Sequence, residues 1–492
     1  MPKFVFLWTD IFLFCLVLAL VLYGFKVRRS AALRATWGHV ARTPTAMCAA
    51  VVLLVFGLVG MLDSVHYRPL LPPEAGPSRA AAVYAPLRSV LDDVLALTQL
   101  SKPEKTYSAP LALRQFTKEN ELIHGKPVRD YPRLQNAGLH LSSDSARGAD
   151  IRQRLLWGVL AAIACGMAAA LILTIMRLKQ AGSFSRASAI WWHSESGVPW
   201  RAMWLTFCVV ALIVCVAAAL STNYHVLGTD RTGNDVLKQA LKSVRTALVI
   251  GTLTTMAMLP PALVFGISAG YFKGRVDDAI QYVYTTLTSI PGVLLIAACV
   301  LMMQVYIDNN PALFDTTAAR ADLRLFLLCL ILGLTGWAGL CRLLRAETLK
   351  LRELDYIQAA RAFGVSHWRI MRRHLLPNVM HIVLITMVLE FSGLVLYEAV
   401  LSYLGIGVDP STPSFGTMID SSRLEMSRDP MVWWNLFAAF VFLLALVLSA
   451  NVFADAVQDA FDPRTRKFRP RGLRPRAPGS LRGAADTEGA WP

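Results

Sequence analysis

The sequence predicts an all-α polytopic membrane protein with about nine transmembrane helices, and three observations lead there. The first is composition. Of 492 residues 55% are hydrophobic and only 17% are charged, with a mean hydropathy of +0.47, a balance poorly suited to a surface covered by water. The second is the length of the apolar runs. Crossing about 30 Å of hydrocarbon takes roughly 20 apolar residues at about 1.5 Å each, and such runs start near residues 4, 46, 155, 203, 246, 279, 324, 380 and 432. The third is the placement of charge: the net +16 gathers beside these runs, which speaks for a membrane and against nucleic acid as the partner.

Taken in order, the first run is followed by Lys26, Arg28, Arg29, Arg34 and Arg42, and Arg177, Lys179, Arg186 and Arg201 separate the third from the fourth. Between the seventh and eighth lie Arg342, Arg345, Lys350, Arg352, Arg361, Arg369, Arg372 and Arg373, and a basic tail from Arg464 to Arg482 follows the ninth. Short loops rich in Lys and Arg stay in the cytoplasm. Nine spans with the N-terminus outside and the C-terminus cytoplasmic put all four segments there, together with 271–278, and place the loops 222–245, 305–323 and 405–431 outside.

The first run is about 20 residues long, lacks a small-residue cleavage site and is followed by its strongest positive charge, so it reads as a retained anchor and not a signal peptide. Asp10, near its outer end, is expected at the membrane–water interface. Residues 1–202 then form an extension with about three spans and an extracytoplasmic insert, 63–152, rich in Pro, Ser and paired charges. In it "SVLDDVLALTQL" (Ser89 to Leu100) predicts one surface helix, with Val90, Val94, Leu97 and Leu100 on a stripe and Ser89 and Asp92 spaced as a helix start. Residues 203–463 hold six spans with short connections, and 464–492 reads as a disordered tail whose charge binds it to lipid. The eight cysteines lie in or beside apolar runs without CxxC spacing and read as packing residues. Pro260 and Pro261 interrupt the fifth run and predict a bend, static or gating; Gly266 and Gly270 predict close helix packing.

"QAARAFGVSHWRIMRRHLLPN" (Gln358 to Asn378) looks at first like a DNA-binding helix-turn-helix. It sits a few residues from the seventh span and runs directly into the eighth, with no third helix to bury its apolar face. "ELDYIQAARAF" forms a short helix, Gly364 supplies the left-handed residue that ends it, Ser366 is placed to cap the next helix, and Pro377 is placed to close that one. The expectation is a compact cytoplasmic knob, with Ala359 and Ala360 small enough for a partner's close approach.

The knob resembles the coupling loop of permeases of ATP-binding-cassette importers, which is patterned Glu-Ala-Ala, three residues, Gly, nine residues, Ile, any, Leu, Pro. Gln358, Ala359, Ala360, Gly364, Leu376 and Pro377 stand at that spacing, with Gln for Glu at 358 and His374 for Ile. "LGTDRTGNDVLKQALKSVRTALVIG" (Leu227 to Gly251) is similar to the segment before the second span in the dipeptide, oligopeptide and nickel branch, of the DppC/OppC type; Gly228, Thr229, Asp230, Gly233, Asp235, Val236 and Arg245 match, and Asn234 and Ser243 depart. "AGYFKGRVDD", "SIPGVLLIA", "LSYLGIGVDPSTPSFGTM" and "DAFDPRTR" follow in the family's order. The resemblance covers about 203–467 and leaves the first two hundred residues without a counterpart.

That resemblance implies a type I permease core of six helices (203–463) in the bacterial inner membrane, with a coupling loop (346–378) that docks on a separate ATPase subunit. It also implies a second permease, expected to be a different chain, and an extracytoplasmic solute-binding protein. The chain contains no GxxxxGK[ST] loop, HExxH or nucleophile elbow. A transport subunit and not an enzyme is therefore expected, without catalytic or metal-binding residues, ATP and Mg being bound by the partner ATPases. Glu390 and Glu398, two turns apart in the eighth span, are candidates for the translocation path, since intramembrane carboxylates face a cavity or a partner; Glu398 also matches a residue common in the family and is equally a candidate for a structural hydrogen bond. An ion-coupled secondary transporter would show related halves, and no internal repeat is evident; a membrane scaffold or sensor is the other alternative.

Overall fold

The computed structural model describes residues 3–70, 84–123, 126–141, 143–192, 197–311 and 316–461. The extension begins with β1 (Lys3–Val5), α1 (Trp8–Arg29), α2 (Ala31–Val40) and α3 (Pro44–Asp63). The insert holds β2 (His66–Arg68), β3 (Arg88–Ser89), α4 (Val90–Ala96), β4 (Glu119–Ile123) and β5 (Lys126–Asp130). Then come α5 (Arg147–Ala181), α6 (Phe184–Trp192) and α7 (Trp200–Ser221). The remainder is α8 (Val236–Phe272), α9 (Gly274–Ser289), α10 (Gly292–Asn309), α11 (Thr317–Gly336), α12 (Ala338–Arg352), α13 (Asp355–Ala362), α14 (His367–Ile370), α15 (Leu376–Tyr403), α16 (Phe415–Glu425) and α17 (Trp434–Phe461). Among the described residues eight helices are long and apolar enough to cross a membrane, and the pair α11 and α12, bent by 41°, makes a ninth. The basic tail lies outside the described residues.

The run expected from about 279 is displaced. Pro291 divides it into the amphipathic α9 and the spanning α10, because a residue before proline is pushed out of the helical region, and Ile290 is extended, at φ −84° and ψ 131°.

Helix α8 is the axis of the molecule. Its 37 residues run for about 55 Å at about 1.5 Å per residue, and its two ends serve different parts of the fold. Val236, Ala240 and Val244 near its start pack with Tyr107 of the insert, Phe415 of α16 and Trp434 and Ala438 of α17. Val249 and Ile250 pack with Leu13 of α1, Val300 of α10 and Leu325 and Leu328 of α11. Ile267 and Tyr271 near its end join Leu344 of α12, Ile357 of α13, Ile370 and Leu375. Pro260 and Pro261 lie inside this helix, which continues through both. A Cβ on Gly266 would stand 2.8 Å from Leu344 Cβ, and one on Gly270 2.6 Å from Thr348 Cβ, so these glycines let α12 approach the α8 backbone as expected.

The insert is more structured than a loop with one helix. Strands β1, β2 and β3 form an antiparallel sheet and β4 pairs with β5. Ser89 and Asp92 form the expected capping box on α4. Of the stripe read from the sequence only Leu100, just beyond the helix, lies in the buried cluster: Leu91 and Leu95 pack with it and with Leu237, while Val94 and Leu97 are 48% and 85% exposed. The helix ends at Ala96, too early for a stripe reaching Leu97, and α3 together with Leu237 of α8 takes the other side.

Candidate functional site

The knob follows α12 directly. Ile357 of α13 is fully buried beside Ile370 and Leu375, which seats the knob in the helical core. Its other surface is open: Gln358, Ala359 and Gly364 are exposed and Ala360 is half-buried. Gly364 has φ +72°, and the N–H groups of Phe363, Gly364 and Val365 donate to the carbonyls of Ala359, Arg361 and Ala360, the left-handed helix ending that a glycine makes at low cost. Beyond Gly364 the structure departs from the sequence reading. Ser366 precedes α14 without a side-chain cap, and a π-helical turn, Met371–Leu375, carries the chain into α15 without a break. Pro377 therefore stands directly after the π-turn, inside a continuous helical run, where the wider turn takes up a ring that cannot donate, and closes nothing.

Polar contacts tie the knob to the end of α8. Tyr271 Oη and His367 Nδ1 are 2.8 Å apart, Arg352 Nη1 donates to the Tyr271 carbonyl at 2.6 Å, and Lys273 pairs with Glu353 at 2.8 Å. Arg345 of α12 clamps Asp277 of α9 through two hydrogen bonds of 2.5 and 2.6 Å. A groove of about 640 Å³ opens beside the knob, lined by Arg352, Glu353, Gln358, Arg361, Gly364 and His367. Two aromatic side chains that the sequence reading missed stand out from the knob: Phe363 is 86% and Trp368 68% exposed. Their signal was legible, since each flanks the Gly364 turn and lies off the face of Ile357.

Glu390 and Glu398 lie on the same helix in different surroundings. Glu390 is half-buried, and its carboxylate has no side-chain partner among the described residues. Glu398 is buried and accepts hydrogen bonds from Ser402 Oγ at 2.6 Å and Ser414 Oγ at 3.0 Å, which ties α15 to the N-cap of α16.

At the opposite end of α8 two polar clusters join the extension to the rest. Asp10 meets protein and not water: it is fully buried, and its Oδ1 accepts from Arg245 Nη2 at 2.6 Å and Nε at 3.2 Å, with His66 Nδ1 2.8 Å from Oδ2. Asp322 of α11 completes the set, 3.4 Å from Arg245 Nη2 and accepting from the Thr9 N–H at 3.1 Å. A buried carboxylate needs such a cation, and Arg245 was legible only as a motif position.

The second cluster surrounds the segment before α8. Gly228 and Gly233, at φ +72° and +77°, lie against the insert backbone, where a Cβ would collide with the carbonyls of Ser108 and Glu104. Asp235 caps α8 by accepting from the N–H groups of Leu237 and Lys238 at 2.8 and 3.1 Å. His225 Nδ1 is 2.7 Å from Asp235 and its Nε2 3.5 Å from Glu104. Burial pulls the His225 imidazole down, but Asp235 and Glu104 outweigh it and carry it up to about 9. Burial likewise raises the Glu104 carboxyl, but His225 and the N–H groups of Gln135 and Asn136 outweigh it and hold it below the usual range.

A multi-pass helical membrane protein with a seated, exposed knob is thus the class that fold and site define. Comparison with known proteins gives the family. Residues 262–467 match the family described as binding-protein-dependent transport system inner membrane component. The chain is 34% identical over 250 residues to the oligopeptide transport system permease protein OppC of Mycobacterium tuberculosis, covering 51% of this chain and 79% of that one. It is 31% identical over 240 residues to the di/tripeptide transport system permease protein DppC of Pseudomonas aeruginosa, covering 49% and 72%, and 28% identical over 243 residues to the dipeptide transport system permease protein DppC of Bacillus subtilis, covering 49% and 70%. The chain belongs to this family of inner-membrane transport permeases and carries an N-terminal extension beyond the matched half.

Proposed function

We propose that the chain is the transmembrane subunit of an ATP-binding-cassette importer for peptides or peptide-like solutes, driven by separate ATPase subunits that grip the knob. One observation carries this reading: the knob is anchored at its back by Ile357, Ile370 and Leu375 and presents Ala359, Gly364, Phe363 and Trp368 outward. Such a handle turns closure of a partner subunit into movement of α8, α12 and α15. ATP and Mg²⁺ then belong to the partner, and this chain contributes a path and a lever. A second, different permease and an extracytoplasmic binding protein complete the assembly.

In this reading the knob end of α8 is cytoplasmic and the insert lies outside. Residues 203–463 form the permease unit and 1–202 an extension of it. Glu390 lines the path, since a half-buried carboxylate within a span is tolerated where water, a partner or a cationic solute meets it. Reconstitution of the complex in proteoliposomes tests the whole: uptake of a radiolabelled oligopeptide that requires both ATP and the binding protein is expected. Uptake driven by a proton gradient without ATP would overturn it, as would nucleotide hydrolysis by the isolated chain.

A further inference from the structure

We propose that Asp10 and Glu104, both supplied by the extension, are positioning residues for transport: they fix the insert end of α8 and thereby set the knob at its other end. The inference rests on the function proposed above and adds a role for the part of the chain that the family match leaves uncovered.

Three observations carry it. First, α8 is one continuous helix from Val236 to Phe272, and α12 lies against its last third with no room for a Cβ at Gly266 or Gly270, so displacement of one end is felt at the other. Second, each pin is a buried charge pair that reaches out of the extension. Asp10 is the nearest anion to Arg245, at 2.6 Å against 3.4 Å for Asp322, and α1 is seated beneath it by Leu13. Close by, Lys242 is already committed to Asp92 at 2.8 Å and Asp63 at 3.8 Å. The Glu104 carboxylate is fixed by the N–H groups of Gln135, Asn136 and Ala137 at 2.8, 2.8 and 3.1 Å and faces His225, which holds the capping Asp235. Third, the far end of α8 touches the knob through Tyr271 and His367. The extension therefore sets both where α8 begins and how it is rotated, and the lever inherits that setting. Coupling through a rigid element of this kind requires that both ends bias its position.

The test uses the full complex, with this chain carrying Asp10→Asn, Glu104→Gln or the conservative Asp10→Glu, in lipid nanodiscs. ATP hydrolysis is measured without and with peptide-loaded binding protein. Both charge-removing variants are expected to keep basal hydrolysis while stimulation by the loaded binding protein falls by about five- to tenfold, and Asp10→Glu is expected to restore it. Full stimulation in assembled Asp10→Asn and Glu104→Gln complexes would overturn the inference. If Asp10→Asn does not assemble, Glu104→Gln, whose charge lies outside the spans, carries the test with the same two outcomes. A wild-type complex without ATP-driven uptake would instead overturn the proposed function, whereas wild-type uptake with normally stimulated variants removes this inference alone.

Discussion

The Tyr271 hydroxyl and the His367 ring, 2.8 Å apart, join the end of the 37-residue α8 to the first residue of α14. Removing the hydroxyl with Tyr271→Phe keeps the buried ring and deletes one hydrogen bond of about 1 kcal/mol. The expected outcome is normal insertion and assembly with more ATP hydrolysed per solute transported, read from parallel uptake and phosphate-release assays. An unchanged ratio would show that the contact is not part of the lever.

Gly364 lies at φ +72° with open space around the position of a Cβ, so the penalty for a side chain there is conformational and not steric. Gly364→Val is expected to strain the turn by roughly 1–3 kcal/mol, leaving membrane insertion intact and abolishing transport. Solute-stimulated ATPase activity equal to wild type in the assembled variant would contradict this.

Gly233 is constrained in both ways, by φ +77° and by the Glu104 backbone against it. Gly233→Ala is expected to lift the insert from the segment before α8 at a cost of roughly 1–3 kcal/mol. Limited proteolysis should then cut between about residues 100 and 145 faster than in wild type, and equal cleavage rates would refute the contact.

The imidazole of His225 is carried up to about 9 in the fold, against about 6.5 in an unfolded chain. A raised value stabilises fully below the unfolded one and loses that contribution as pH rises through the folded one, on the order of 3 kcal/mol in all. Thermal unfolding in detergent should therefore show Tm falling between about pH 6.5 and 9.5, and His225→Gln should flatten that slope. A wild-type Tm that rises over the same window would reverse the sign and exclude the assignment.

Glu390 is half-buried in the middle of α15. Glu390→Gln is expected to lower uptake of peptides with a free amino terminus by about tenfold, or about 1.4 kcal/mol, at unchanged expression. Uptake at the wild-type rate would remove the residue from the path.

Spans, knob and capping box were legible because each rests on local chemistry: an apolar length, a glycine where φ must be positive, a serine three residues before an aspartate. The division at Pro291 was legible too, but averaging hydropathy over a run hides a single residue that breaks a helix. What no local pattern carries is pairing across the chain. Asp10 and Arg245 are 235 positions apart, and an aspartate near the end of an apolar run looks the same whether it meets water or a guanidinium. Leu91 and Leu95 likewise became the buried side of α4 only because α3 and Leu237 of α8 lie on that side.

Since α1, α2 and α3 press against α8, α11 and α17 through Leu13, Gly60 and the contacts of Val40 and Ala46 with Ala456 and Val457, that flank is clad by the polypeptide itself. Grafting residues 203–461 onto a different leader would strip the cladding and leave Arg245, among the described residues, with Asp322 as its one ion-pair partner. The two stretches must therefore be exchanged together or not at all, which makes them a single heritable piece whatever the boundary of the sequence match.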